Sequence, residues 1–223
     1  MALFNLERAI TSDCEPLDHL RLYCCNVPAN MLAQGLLQHA KTLKEFILEE
    51  ITITNGTLKE VFNALGSACN LKELVLLLNR NYSRLSEEEE QALIEALKNM
   101  PHLVKIQISR AFTTSHGMNA AIATLQNNNL EQFILHENAT DPDTLKGINN
   151  ILKISNNTIY SFEIFNCSEM FTNQETNNNF LDGLRGCNIL KYVGIHENNV
   201  DEKAFNDALK SAKIKKFEVR NKR

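Results

Sequence analysis

A segment of the form L-x-x-L-x-L, with L standing for Leu, Ile, Val or Phe, recurs eight times in this chain and constrains its fold more than any other feature. It reads Leu17, Leu20, Leu22; Leu43, Phe46, Leu48; Leu71, Leu74, Leu76; Leu103, Ile106, Ile108; Leu130, Phe133, Leu135; Ile159, Phe162, Ile164; Leu190, Val193, Ile195; and Ile214, Phe217, Val219. All 24 sites hold large apolar residues, in a chain that is 43% hydrophobic overall. Successive starts lie 26, 28, 32, 27, 29, 31 and 24 residues apart, a period of roughly 28. In L-x-L the two apolar side chains share one face of a strand and the residue between them points to the other. A single unit of this kind cannot bury its apolar face, whereas a stack of them can.

Helical patterns fill the second half of each period. Ser86 and Glu89 read as a capping box before Ala92, Leu93, Ala96, Leu97 and Met100. Asp141 with Pro142 reads as an N-cap followed by proline at the first helical position, ahead of Leu145, Ile148 and Leu152. Asp201 opens a third helix carrying Phe205, Ala208, Leu209 and Ala212. Strand, turn and helix repeated at this spacing predict an α/β solenoid, with parallel strands on the inside of an arc and helices outside.

The ninth position of the repeat is Cys25, Asn79, Asn138, Cys167 and Asn198 in five of the eight units. With the apolar pattern this resembles the L-x-x-L-x-L-x-x-N/C motif of leucine-rich repeats, and the long period is similar to their ribonuclease-inhibitor-like class. The resemblance covers residues 17–223, leaving 1–16 as an N-terminal cap segment. It implies a right-handed horseshoe of about eight repeats. It also implies that the ninth side chain points inward and satisfies backbone groups of the turn, a structural role for the two cysteines as well. Ile51, Ala111 and Lys222 depart from the pattern, so the polar ladder is interrupted there.

Composition narrows the function. A net charge of -4 lacks the concentrated basic surface that nucleic acid needs, and the basic stretch from Lys210 to Arg223 reads as a solvated end. No stretch reaches the ~18 apolar residues of a membrane span, and residues 1–11 do not read as a secretory signal. The six cysteines (Cys14, Cys24, Cys25, Cys69, Cys167, Cys187) form no CxxC pair and read as reduced, mostly buried thiols of a cytosolic protein. No cofactor or metal site is expected, since glycine-rich phosphate loops, H-E-x-x-H and G-x-S-x-G are all absent. Cys24 with His19 is the remaining enzyme candidate, and adjacency to Cys25 supplies no base; the chain reads as a non-enzyme.

The concave positions are those the fold does not dictate. The binding candidates there are Arg21, Tyr23, Ile47, Glu49, Val75, Leu77, Gln107, Ile134, His136, Glu163, Phe165, Tyr192, His196 and Glu218. Eight strands ~4.8 Å apart give a face about 34 Å long, suited to a protein surface and not to a metabolite. Tyr23, Ile47, Val75, Leu77, Ile134, Phe165 and Tyr192 should face solvent, and exposed apolar groups among charges mark association sites. His-Glu-Asn occurs twice in equivalent places, at 136–138 and 196–198, so His136 and His196 should flank Phe165. They lie too far apart for one zinc ion.

These features predict a protein-binding module that grips a globular partner. By resemblance to ribonuclease-inhibitor-like repeats, it would cover a partner enzyme's active site. The alternative is an adaptor that brings a separate activity to its target. Asparagine makes up roughly an eighth of the chain, and with the fold this bias resembles leucine-rich-repeat effectors of intracellular bacteria. That resemblance implies action in a host cytosol, on a host protein or another bacterial effector.

Overall fold

Parallel pairing of the eight L-x-L segments dominates the computed structural model, which describes residues 15–78, 84–212 and 214–221. The strands are β1 (His19–Tyr23), β2 (Asn26–Pro28), β3 (Glu45–Glu49), β4 (Thr52–Thr54), β5 (Glu73–Leu77), β6 (Lys105–Ser109), β7 (Gln132–His136), β8 (Ser161–Phe165), β9 (Tyr192–His196) and β10 (Lys216–Arg220). The helices are α1 (Ala29–His39), α2 (Leu58–Leu65), α3 (Glu87–Lys98), α4 (Ser115–Leu125), α5 (Pro142–Ile154), α6 (Gln174–Arg185) and α7 (Glu202–Ser211), with a short 3₁₀ turn at Ser168–Phe171. One sheet runs β1-β3-β5-β6-β7-β8-β9-β10, every pair parallel. This is a leucine-rich-repeat-like α/β fold.

Register places the apolar sites in rows. Leu20, Phe46, Leu74, Ile106, Phe133, Phe162, Val193 and Phe217 pair strand to strand, and the Leu22-to-Val219 row runs beside them. All 24 sites are buried except Leu17, Leu22 and Phe217, which are half-buried. Those three belong to the first and last segments, where a sheet neighbour exists on one side only. Behind the sheet the helices complete the core. Phe133 stacks on Phe162 at 5.6 Å, Phe162 meets Phe180 of α6 at 5.7 Å, and Phe180 meets Phe205 of α7 at 6.2 Å. Each aromatic touches its own or an adjacent repeat, so burial propagates along the stack.

The three helix starts read from the sequence are formed. Ser86 and Glu89 make the reciprocal capping box, Asp141 accepts from the Thr144 N–H with Pro142 behind it, and Asp201 accepts from the Ala204 N–H. The periodicity gave no sign of the small parallel sheet of β2 and β4, which runs beside the first two turns.

After six strands of the eight-stranded sheet the chain reverses through a residue at positive φ that is not glycine: Cys24, Glu50, Arg110, Glu137, Asn166 and Glu197, with φ between 46° and 58°. Each of their N–H groups donates to the last carbonyl of the following strand, at 2.7–3.0 Å. These contacts extend the ladder one residue past the sheet and give the six turns a common backbone conformation.

Candidate functional site

Alternation sends the first, third and fifth residues of each strand away from the helices, onto the open face of the sheet. Most of the binding candidates lie there half-buried: Glu49, Val75, Leu77, Gln107, Ile134, His136, Glu163, Phe165, Tyr192, His196 and Glu218. Arg21 and Tyr23 are exposed, Tyr23 by 47%. Ile47 departs from expectation: it is only 7% exposed. It sits in register between Arg21 and Val75, and long side chains in such a row cover a β-branched neighbour. Ile47 is therefore covered on the open face and is not an accessible contact residue.

Ion pairs cross the open face from strand to strand. Arg21 grips Glu45 with Nε and Nη2, the latter at 2.8 Å from Oε2. This hydrogen bonding holds the buried Glu45 carboxyl below its ordinary value against the opposing effect of burial. Lys105 reaches Glu73 at 3.3 Å. At the turn, Arg110 forms a two-pronged pair with Glu137 at 2.7 and 2.6 Å.

The far end of the face is aromatic and imidazole-rich. His136, Phe165 and His196 are in register on β7, β8 and β9, and the His136 and Phe165 rings lie 5.4 Å apart. His136 Nε2 donates to Glu163 Oε1 at 3.1 Å, and that bond keeps the Glu163 carboxyl below its usual value although burial pushes it up. Tyr192 Oη lies 3.4 Å from His196 Nε2 and the Lys216 ammonium sits 5.4 Å from the Tyr192 ring. Gly194 makes this possible: a Cβ there would stand 2.7 Å from Tyr192 Oη and 2.8 Å from His196 Nε2. Beside this cluster is an open groove of about 1210 Å³ lined by Glu163, Phe165, His196, Glu197, Glu202, Arg220 and Asn221.

The ninth-position side chains lie beneath the turns. Asn138 Oδ1 accepts from the Ala111 and Phe112 N–H groups, and its Nδ2 donates to the Ile108 and His136 carbonyls. Asn198 accepts from the Cys167 N–H and donates to the Ile164 and His196 carbonyls. Cys167 is buried, its thiol pushed up to about 11 by burial; Cys25 is half-buried against the core. Asn79 lies outside the described residues. The repeat pattern passed over Asn221, one place before Lys222, which exchanges two hydrogen bonds of 2.9 Å with the Val200 backbone.

The exposed Cys24 thiol points to Glu50 Oε2 at 3.6 Å, and desolvation together with this carboxylate raises it; Cys69 is exposed too, so among the described cysteines only Cys167 and Cys187 are buried, fewer than expected. His19 Nδ1 lies 3.1 Å from Asp18. Among the described residues there is no cluster of three or more His, Cys, Asp or Glu side chains able to hold a metal, and no helix long and apolar enough to cross a membrane.

No protein-family model matches the chain, and no curated protein matches it. Among solved structures it is similar to the tropomodulin C-terminal domain of Caenorhabditis elegans, with a TM-score of 0.50 and 18% identity. The match covers 70% of this chain and 91% of that one. At this identity the likeness concerns the fold alone.

Proposed function

We propose that the chain is a non-catalytic protein-binding module whose repeats curve into an arc, with the open face as its concave, partner-gripping side. The observation that carries this reading is the make-up of that face. Tyr23, Val75, Leu77, Ile134, Phe165 and Tyr192 are exposed or half-buried between ion pairs that tie neighbouring strands together. Aromatic anchors on a rigid backbone, ringed by charge, are what a standard protein interface requires. A helix layer already covers the sheet's other side, so these side chains are not needed for the core. In its sharper form the partner is an enzyme whose active site the arc covers. Five free cysteines among the described residues favour a reducing compartment for this work.

The test replaces Tyr23, Phe165 and Tyr192 by Ala together. A partner captured by the native chain is purified and titrated against both proteins. The triple change should weaken binding at least about 100-fold, since each anchor contributes on the order of 1–2 kcal/mol, and should leave the thermal transition within a few degrees. Binding that survives the change rules the face out. Assaying a captured enzyme with and without the chain then separates inhibition from recruitment.

A further inference from the structure

The repeats carry an internal template for one contact. At the β6 and β7 turns, Arg110 and Glu137 stand side by side at φ 58° and 52°, and the guanidinium clasps the carboxylate with two bonds. At the β8 and β9 turns the corresponding residues are Asn166 and Glu197, at φ 49° and 54°. Both pairs make the same backbone contacts to the next strand, Arg110 to His136, Glu137 to Phe165, Asn166 to His196 and Glu197 to Arg220. Glu197 therefore leaves the backbone as Glu137 does, within the repeated tripeptide His-Glu-Asn, but its neighbour is a short amide instead of an arginine.

The groove opens here. Of its charged lining residues, Glu163 accepts from His136, Glu202 accepts from the Asn221 N–H at 2.8 Å, and Arg220 is 3.4 Å from Glu218. Only the half-buried Glu197 carboxylate has neither a hydrogen bond nor an ion pair among the described residues, and Phe165 lines the groove with it. Three carboxylates against one arginine leave the lining acidic.

We infer that Glu197 and Phe165 form a socket for an arginine side chain of the partner protein, which supplies in trans the guanidinium that Arg110 supplies to Glu137 in cis. The inference rests on the docking reading above and names the chemistry of one contact within it. Arginine is favoured over lysine because its planar fork meets both carboxylate oxygens at once, and because it stacks on an aromatic ring where a compact ammonium stays hydrated.

The probe is the blocked tripeptide acetyl-Gly-Arg-Gly-amide, titrated into the isotopically labelled chain and followed by NMR, with the lysine tripeptide as comparison. Saturable shifts at Glu197 and Phe165 are expected at roughly millimolar affinity, as an exposed ion pair with stacking allows, and about tenfold weaker for lysine. Glu197→Gln should lose the response at least tenfold, and Glu88→Gln on α3 should keep it. Asn166→Arg should fill the socket from within and abolish peptide binding. A Glu197 signal that does not move, an undiminished response in Glu197→Gln, or binding that appears only after removal of Lys222 and Arg223 overturns the inference. The probe is not the partner, so a silent Glu197 removes the socket while the aromatic triple variant alone judges the docking face.

Discussion

At the scale of single residues, the ninth-position asparagines show how little freedom a solenoid turn leaves. Asn138 answers two backbone N–H groups and two carbonyls, all of them beneath the turn where water does not reach. Asn138→Ala would leave the Ala111 and Phe112 N–H groups without this acceptor and take a donor from the Ile108 and His136 carbonyls, and urea denaturation should show a loss of about 3 kcal/mol. A loss under about 1 kcal/mol would mean that the turn repairs itself. The position of Asn138 and Asn198 could be read from the chain because the repeat numbers them. The burial of Ile47 could not: its place in the alternation is the same as that of half-buried Val75, and only the side chains laid across it by neighbouring strands decide the difference. That Glu197 is unpaired among the described residues was equally hidden, since His-Glu-Asn reads identically at both sites and the contrast lies in the turn one repeat earlier.

At the scale of elements, polar side chains tie the starts of α2, α3, α4 and α5 in series. Leu58 at the head of α2 donates to Glu89 Oε1 at 3.0 Å, while Glu89 Oε2 closes its own capping box in α3. The following residue, Glu90, faces the opposite way and accepts from the Thr113 N–H and hydroxyl at the head of α4. Asn119 of α4 continues the series, donating to Asp141 and accepting from Thr144 at the head of α5. Two buried carboxylates thus serve two neighbours from consecutive positions. Glu90→Ala should cost about 2 kcal/mol in chemical denaturation by removing the acceptor of the Thr113 N–H and hydroxyl beside the α4 start, whereas exposed Glu88→Ala two residues away should stay within about 0.5 kcal/mol. Equal losses would show that charge, and not capping, is at work. In sequence Glu89 reads as a capping-box partner and the other three glutamates only as an acidic first turn; that Glu89 and Glu90 are buried links between helices is set by the helices packed on either side.

At the scale of the whole molecule, contacts run from each repeat to its neighbours, so damage should stay local. Phe162 stacks on Phe133 and packs on Phe180. Phe162→Ala should cost on the order of 4 kcal/mol, and hydrogen exchange should show protection falling in β7, β8 and β9 while β1 and β3 keep theirs. Uniform loss would sink the nearest-neighbour picture and indicate one cooperative unit. The sequence by itself determined the parallel sheet, its register and the layer of helices, because apolar side chains at a fixed period have one arrangement that buries them all. It also set the ninth-position asparagines beneath the turns, since a buried turn must satisfy its backbone. Only the tertiary structure decided which open-face residues stay accessible and which turn carboxylate meets an arginine. Those outcomes depend on side chains a full repeat apart in sequence that touch only once the strands are stacked.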